Sequence, residues 1–458
     1  MPTSWREWLI AHVPWKAKEA LVAAEALRLR RQRRWGDYET VRRAYAWEQY
    51  ASLSAADLRA HQLARLQELV AYARQQSVFY RDRLPTAIHS LDDLAQIPAL
   101  TRSDVRTNYR AMLAQERRGR PMALESTSGS MGSPLQFYAP PEGVRARFAI
   151  IDAYLAYFGC PYGARRVRLS WHWFASPECT HPPFWVYNRV DNQLHMSCYH
   201  LDRDTAPAYV AQLNAFQPLY MTGYGHMLYL LARHILAHGG RRFAPRALFT
   251  DGEPLGEEQR TIIEAGLGAP CYDAYGLREM NWVAAHCCRH RYHTMPLSSV
   301  LEIVDEAGQP LAPGEVGRIV VTDLTQCAFP LVRYDTGDLG VLSADTCSCG
   351  WHSPVLRSIE GRAVEYITTP RGRVVTAGTC IGWIGQHILE TQIVQTHSDR
   401  IVLRVVPAEG FQPADMASMV TDAHDYLGAD MRVDWEVVDH ITRTSRGKSC
   451  SVVREDAL

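Results

Sequence analysis

The stretch RALFTDGEPLGEEQRTIIEAGLGAPCYDAYGLREM, residues 246–280, contains a strand, a helix and a second strand in succession. Short runs rich in β-forming residues bracket a segment whose apolar residues recur at helical spacing. The same alternation continues on both sides of it, with strand character in RRVRLSW, VLEIVDEAG and GRIVVTDL and helical character in AYVAQLNAF and GHMLYLLARHILAHGG. This pattern predicts an α/β body from about residue 125, with largely parallel sheets flanked by helices.

The regions on either side of this body have a different texture. Residues 1–83 predict helix, because apolar residues recur there at helical spacing: Leu63, Leu66, Leu69, Val70 and Ala73. After Gly361 the chain contains two strand-like runs, a helix around ADMASMVTDAHDYLG and a polar tail. We therefore expect a large domain over residues 1–361 and a small, mobile α+β domain over residues 362–458.

The composition excludes several classes of protein. Of 458 residues, 49 are Lys or Arg and 49 are Asp or Glu, and this balance argues against a partner such as nucleic acid or an anionic membrane. There is no unbroken apolar run of about 18 residues, so no membrane-spanning helix is predicted. The first twenty residues have charges within their apolar stretch, unlike a signal peptide, and a cytoplasmic location is expected.

Two features of the basic residues stand out. Lysine occurs only at Lys16, Lys18 and Lys448, so a lysine near the C-terminus is conspicuous. A basic run in the N-terminal helical region favours a solvated helix face over a phosphate or membrane contact: Arg28, Arg30, Arg31, Arg33 and Arg34.

The first motif with chemical content is STSGSMGSPLQFY, residues 126–138. Closely spaced glycines allow backbone N–H groups to turn toward an anion, and the hydroxyls add further donors. Such a loop suits a polyphosphate, although an ordinary surface loop has the same composition.

Two further motifs place carboxylates after predicted strands. In YDAYGLREM the strand ends at Tyr275-Gly276 and Glu279 follows, where it could hold Mg²⁺ or be a surface residue. In FPLVRYDTGDLG an apolar strand is expected to run into a turn at residues 335–338. Asp338 there could accept both hydroxyls of a ribose, or belong to a plain β-turn.

These motifs, followed by EGRAVEY (360–366) and ITRTSRGKSCSVVRE (441–455), resemble in this order the adenylate-forming superfamily of acyl- and aryl-CoA ligases. The N-terminal runs at 63–84 and 90–106 are similar to its phenylacetate-CoA ligase branch, which includes CapK-type proteins. The resemblance implies ATP-dependent activation of a carboxylic acid as an acyl-adenylate, release of pyrophosphate, and transfer of the acyl group to CoA.

The resemblance also implies roles for individual residues. The phosphate loop would be formed by Thr127, Ser128, Gly129, Ser130 and Gly132. Tyr275 and Gly276 would contact the nucleotide, Asp338 the ribose and Glu279 a Mg²⁺ ion. Arg362 would bind the nucleotide and lie at the hinge between domains. Lys448 would bridge the attacking carboxylate and the α-phosphate as a compact charge that arginine mimics poorly.

This chain departs from the family pattern at several positions. Ser133 replaces the usual lysine of the phosphate loop, and Arg278 replaces a threonine, where its charge could hold the substrate carboxylate or a phosphate. Glu365 replaces the hinge aspartate. The segment after the hinge, which is glycine-rich in the family and lies near CoA, reads TPRGRVVTAGT in this chain. Two alternatives therefore stay open: transfer to an amine, hydroxyl or carrier-protein thiol, and a non-catalytic nucleotide-binding relative.

The cysteines indicate a structural zinc site. HCCRHRYH, residues 286–293, is followed by a CxCG knuckle, and we expect Cys287, His293, Cys347 and Cys349 to complete a tetrahedral site. Cys288, His286 and His290 are alternative ligands, and buried free cysteines are the other interpretation. The branch named above often shows a similar pattern.

The pocket for the acid has two candidate segments, LSWHWF and MTGYGHM. The residues concerned could equally be core residues: Trp171, His172, Trp173, Phe174, Tyr224, Gly225 and His226.

Overall fold

The computed structural model describes residues 13–120, 122–126, 135–170, 174–175, 179–198, 200–201, 204–252, 255–362, 366–370, 374–376, 388–407, 410–439, 441 and 452–455. None of the helices in these ranges is both long and apolar enough to cross a membrane.

The N-terminal region is helical, as predicted. Its helices are α1 (Trp15–Arg33), α2 (Tyr38–Ala44), α3 (Glu48–Ser52), α4 (Ala55–Gln76) and α5 (Arg102–Met112). Capping boxes start α4 at Ser54 and α5 at Thr101, where a hydroxyl and a carboxylate each satisfy free backbone N–H groups. A capped 3-10 helix, Leu91–Gln96, lies between them.

The basic run of this region is only partly solvated. Arg28, Arg30 and Arg31 are exposed, as expected. Arg34 instead forms a bidentate contact with Asp152 of the following domain body, at 2.6 and 3.0 Å, and Arg33 lies 4.4 Å from the Phe148 ring. The expectation of a solvated face is wrong for these two residues, because they attach α1 to the α/β body.

The α/β body is built on one large sheet. A separate hairpin of β1 (Ala123–Ser126) and β2 (Gln136–Ala139) precedes it. The strands of the large sheet are β3 (Arg166–Ser170), β4 (Trp185–Asn188), β5 (Gln193–Ser197), β6 (Tyr220–Gly223), β7 (Ala247–Asp251), β8 (Cys271–Gly276), β9 (Trp282–His286), β10 (Tyr292–Thr294), β11 (Ser299–Val304), β12 (Val316–Asp323), β13 (Tyr334–Leu342) and β14 (Val355–Arg362). Their order across the sheet is β11-β12-β13-β14-β10-β9-β8-β7-β6-β3-β5-β4.

Parallel strands make up one half of this sheet. Strands β5, β3, β6, β7 and β8 are parallel neighbours, connected through α7 (Ala206–Phe216), α8 (Gly225–His238) and α9 (Glu257–Leu267). From β8 to β11 all neighbours are antiparallel, since short connections there replace the helical crossovers that parallel pairing requires. The α/β class is confirmed, with a mixed rather than largely parallel sheet. Helix α6 (Pro141–Tyr157) packs on it through Tyr154, which is fully buried.

The C-terminal block has its own apolar core. Strands β17 (Ile388–His397), β18 (Arg400–Pro407), β19 (Arg432–Val437) and β20 (Val452–Arg454) form a sheet in the order β19-β18-β17-β20, covered by α10 (Asp415–Leu427). A short hairpin, β15 (Tyr366–Thr368) and β16 (Val374–Thr376), precedes it. The predicted strands and helix of this block are confirmed. The domain boundary after residue 361 stays a prediction.

A buried ion pair anchors the chain just before β13. The Arg333 guanidinium is 1% exposed and meets the Glu302 carboxylate at two contacts of 3.1 Å. It also donates to the backbone carbonyls of Ile97 (2.6 Å) and Gly308 (2.7 Å). One side chain thus joins β11, the segment before α5 and the start of β13.

We predict that Glu302→Gln lowers the free energy of unfolding by about 3 kcal/mol or more, because it leaves a buried guanidinium without its counter-charge. The matched control is Glu39→Gln, which breaks a surface pair with Arg42 and should cost about 1 kcal/mol or less. Urea unfolding measures both variants. Equal, small losses would contradict the prediction.

Candidate active site

Strand β8 carries the first of the two carboxylate motifs, YDAYGLREM, to the end of the parallel half of the sheet. The chain turns after Gly276, where a Cβ atom would lie 2.8 Å from the Asn281 carbonyl oxygen, so only glycine fits this close approach. The turn carries Glu279, which is 5% exposed. The alternative of a surface glutamate is therefore excluded.

Arg147 of α6 holds this turn in place. Its guanidinium donates to the carbonyl oxygens of Arg278 (2.7 Å) and Met280 (3.2 Å), on either side of Glu279. The Arg278 side chain itself is 60% exposed and lies 3.7 Å from the Glu125 carboxylate. Glu125 belongs to β1, which leads into the serine- and glycine-rich segment.

The second carboxylate motif differs from its prediction. The segment before it is not a strand, since Pro330 has no N–H to donate and Arg333 has a left-handed backbone with φ of 50°. Strand β13 begins at Tyr334, and the expected turn at residues 335–338 is a bulge inside it. Between the pairs Arg318↔Leu339 and Val320↔Asp335, β13 has two more residues than β12.

Gly337 makes this bulge possible, with φ of 79°. The Thr336 hydroxyl donates to the Ile319 carbonyl at 3.0 Å and accepts from the Asp338 N–H at 3.1 Å. Asp338 is thereby fixed in orientation and is 9% exposed.

Two reciprocal hydrogen bonds connect the motifs. The Tyr275 hydroxyl donates to Asp338 Oδ2 at 2.7 Å, and the Tyr334 hydroxyl donates to Glu279 Oε1 at 2.6 Å. Burial raises the pKa of Tyr275 well above its ordinary value, so this phenol stays protonated and remains a donor. Arg102 of α5 lies 3.8 Å from the same Glu279 oxygen.

These contacts require the sheet to curl. Strands β8 and β13 are four strand spacings apart in the sheet order, about 19 Å in a flat sheet. Side chains of tyrosine and aspartate cannot bridge that distance. The antiparallel half of the sheet therefore bends back, and the two carboxylates lie at one site.

Several predicted residues lie outside the described part of the chain. These are Thr127, Ser128, Gly129, Ser130, Gly132, Lys448, Trp171, His172 and Trp173 and the side chains of Arg362 and His226. The backbone of Arg362 is described and pairs with Asp338 at the end of β14.

The described residues of the two acid-pocket segments are partly structural. Phe174 is buried against Val22 of α1 and Val186 of β4, as the core alternative expected. Tyr224 precedes α8 and packs at the margin of the apolar core, while Gly225 is the first residue of that helix.

The cysteine and histidine cluster assembles as predicted. Ligand atoms of Cys287, His293, Cys347 and Cys349 all lie within 4.8 Å of one another. The sulfur atoms of Cys287 and Cys347 are 3.7 Å apart, close to the edge of about 3.8 Å expected for a zinc tetrahedron with sulfur ligands. The Cys349 sulfur is 3.3 Å from His293 Nε2.

Surrounding groups orient this cluster. The Ser353 carbonyl and hydroxyl oxygens lie 3.2 and 3.1 Å from His293 Nδ1, which leaves Nε2 facing the sulfurs. Burial lowers the pKa of His293 to about 4 and raises that of Cys287 to about 12. The backbone N–H groups of Arg289 and Trp351 donate to two of the sulfur atoms.

The alternative ligands have other environments. Cys288 is exposed, His286 Nδ1 accepts the Asp273 N–H at 3.1 Å, and His290 lies 3.7 Å from Glu264 and stacks on Tyr272. The four expected residues are the better donor set.

Sequence reasoning missed the parts played by Tyr334, Arg102 and Arg147. A signal for the first was present, because Tyr275 precedes Glu279 by four residues and Tyr334 precedes Asp338 by four. No sequence pattern indicates the roles of Arg102 and Arg147, because both lie in helices that are distant in sequence from the two carboxylate motifs.

Comparison with known proteins agrees with this architecture. A family model described as the CapK C-terminal domain matches residues 367–455. Protein CapK of Staphylococcus aureus is 25% identical over 406 residues, which are 86% of this chain and 88% of CapK. The phenylacetate-coenzyme A ligase of Thermus thermophilus is 27% identical over 342 residues, 69% of this chain and 73% of that enzyme.

Solved structures show the same fold. A 2-hydroxyisobutyryl-CoA ligase crystallised in the postadenylation state superimposes with a TM-score of 0.60 at 20% identity, covering 90% of this chain and 93% of that one. The same ligase in the thioesterification state, with 2-HIB-AMP and CoA, gives 0.57 at 22% identity, covering 90% and 93% of the two chains. The chain is thus a homologue of CapK and of phenylacetate-coenzyme A ligases, and it has the fold of adenylate-forming CoA ligases.

Proposed function

We propose that this protein activates a carboxylic acid, aryl or small acyl, with ATP as an acyl-adenylate and then transfers the acyl group to the thiol of CoA. The observation that carries the proposal is the pair of buried carboxylates, Glu279 and Asp338, held at one site by hydrogen bonds from the opposite motif. The homology to phenylacetate-coenzyme A ligases supports the same reaction class.

The first half-reaction depends mainly on positioning and charge. An oxygen of the acid attacks the α-phosphorus, the bond to the β-phosphate breaks, and pyrophosphate leaves. A carboxylate is a weak nucleophile and the phosphates repel it, so catalysis requires fixed donors and cations. Asp338 would accept the ribose hydroxyls, and the Lys448 ammonium would contact both the attacking carboxylate and the α-phosphate.

Glu279 is the residue suited to hold Mg²⁺. It is a buried carboxylate with one oxygen already hydrogen-bonded, and hard oxygen ligands of this kind suit the ion. When bound, the ion supplies neutralisation of charge on the phosphates. The N–H groups and hydroxyls of residues 127–132 would hold the β- and γ-phosphates. Arg278, which is exposed and lies near Glu125 of β1, would hold a phosphate or the substrate carboxylate.

In the second half-reaction the thiol sulfur attacks the acyl carbon and AMP leaves. We propose that the C-terminal domain, residues 362–458, turns about a hinge at Arg362–Glu365 and carries Lys448 away from the site, which opens a path for the thiol. Lys16 is exposed, so a substitution there serves as the control for the proposed role of Lys448.

A second acceptor class has its own support. The segment TPRGRVVTAGT after the hinge departs from the glycine-rich pattern that the family uses near CoA. The alternative keeps the adenylation and passes the acyl group to an amine, a hydroxyl or a carrier-protein thiol.

We further propose that Cys287, His293, Cys347 and Cys349 bind a structural Zn²⁺. Four protein ligands leave no open coordination position, so the ion would stabilise rather than catalyse. It would tie the β9–β10 hairpin to the connection between β13 and β14, and these strands lead to both carboxylate motifs.

We predict that wild-type protein catalyses acid-dependent exchange of pyrophosphate into ATP across a panel of aryl and short-chain acids. Lys448→Ala should slow exchange about a hundredfold or more, because a charge stabilising the transition state is lost, while Lys16→Ala should not. Circular dichroism checks that both variants fold. Undiminished exchange in Lys448→Ala would refute the assignment, and no exchange by wild type with any acid would favour a non-catalytic relative.

The acceptor is identified by the products. We expect CoA to accelerate AMP release and to yield an acyl-CoA detectable by mass spectrometry. The alternative acceptor would instead be favoured if pyrophosphate exchange proceeds, CoA leaves AMP release unchanged, and hydroxylamine accelerates AMP release.

The zinc proposal predicts about one equivalent of zinc per chain by elemental analysis. Cys349→Ser should lose the zinc and lower the melting temperature, because it removes one of four ligands. Cys288→Ser alters the exposed cysteine next to Cys287 and should keep both the zinc content and the melting temperature of the wild type. Full zinc content in Cys349→Ser, or none in wild type grown with added zinc, would contradict the proposal.

A further inference from the structure

The hydrogen bond from the opposite motif engages one particular oxygen of the Glu279 carboxylate. Glu279 receives the Tyr334 hydroxyl on Oε1, and the Arg102 guanidinium lies near that same oxygen. Within the part of the chain that the structure describes, no hydrogen bond reaches Glu279 Oε2. The two oxygens of this carboxylate are therefore not equivalent.

This asymmetry has a physical consequence for metal binding. A glutamate side chain has three rotatable bonds, and a cation bound to a mobile carboxylate must pay for ordering it. A donor that fixes one oxygen also fixes the direction of the other. The Tyr334 ring is fully buried in β13, and its backbone position is set by the Arg333 anchor one residue earlier.

We propose that Tyr334, assisted by Arg102, is a positioning residue that holds Glu279 by Oε1 so that Oε2 faces the divalent cation of a bound nucleotide. Tyr275 in turn holds Asp338 by Oδ2, and Asp338 is the residue that the proposed function assigns to the ribose. The inference rests on the proposed function for the identity of the ligand, Mg²⁺ with ATP. It adds a separation of tasks, since one tyrosine serves the metal and the other serves the sugar.

The two tasks give different signatures in binding. The measurement is the dissociation constant of a non-hydrolysable ATP analogue, by calorimetry, with Mg²⁺ and with EDTA. In Tyr334→Phe we expect the gain in affinity from Mg²⁺ to shrink about five- to fiftyfold, which is the effect of one hydrogen bond to a charged group. The affinity in EDTA should stay unchanged.

Tyr275→Phe should behave differently. Its affinity should fall by a similar factor both with Mg²⁺ and in EDTA, so the gain from Mg²⁺ stays constant. Its preference for the ribose analogue over the 2′,3′-dideoxy analogue should shrink, because Asp338 loses its orienting donor. Arg102→Gln should shift the gain from Mg²⁺ in the same direction as Tyr334→Phe, by less.

Tyr80→Phe is the matched control for a lost buried hydroxyl. Tyr80 is fully buried and donates to the Pro330 carbonyl at 2.8 Å, four residues before Tyr334, without touching either carboxylate. It should change neither affinity. A general loosening of this region would move Tyr80→Phe and Tyr334→Phe alike, which would overturn the proposal.

Further outcomes separate this inference from the proposed function. A gain from Mg²⁺ in Tyr334→Phe equal to that of wild type would overturn the inference, as would wild-type affinity that is indifferent to Mg²⁺. The binding assay needs no turnover. A wild-type protein that shows the predicted binding pattern but no pyrophosphate exchange would therefore refute the proposed reaction and leave the positioning role supported.

Discussion

A pair of crossed hydrogen bonds is the constraint on which the candidate site depends. Tyr275 bonds to Asp338 and Tyr334 bonds to Glu279, so each motif supplies the donor for the other motif's acid. The bonds form only if the antiparallel half of the sheet curls back onto the end of β8. The geometry of the site therefore depends on the curvature of the sheet, because the sheet must bend for Glu279 and Asp338 to be buried with hydrogen-bond partners.

Three further sets of contacts hold the elements that meet at this site. Arg333 fixes the start of β13 through Glu302 and two backbone carbonyls, directly before Tyr334. The cysteine and histidine cluster joins the β9–β10 hairpin to the connection that follows β13. Arg147 adds a third support at the turn that carries Glu279. The site is held mainly by groups that would not touch a substrate.

The sequence predicted what depends on local pattern. Period and composition located the helices of the N-terminal region, the alternating strands and helices of the body, and the C-terminal strands; spacing located Cys287, His293, Cys347 and Cys349. Features set by distant packing were not predictable. The bulge at Gly337 and the inward-facing Arg34 arise from partners in other elements, and the crossed tyrosines depend on a curl that no local window encodes.

The most direct test of the central claim is a crystal structure of the protein with Mg²⁺ and a non-hydrolysable ATP analogue. The account predicts ribose hydroxyls within hydrogen-bond distance of Asp338 and a metal ion on Glu279, with both tyrosine hydrogen bonds retained. A nucleotide bound away from these carboxylates, or a Glu279 that leaves Tyr334 to reach the ion, would contradict it.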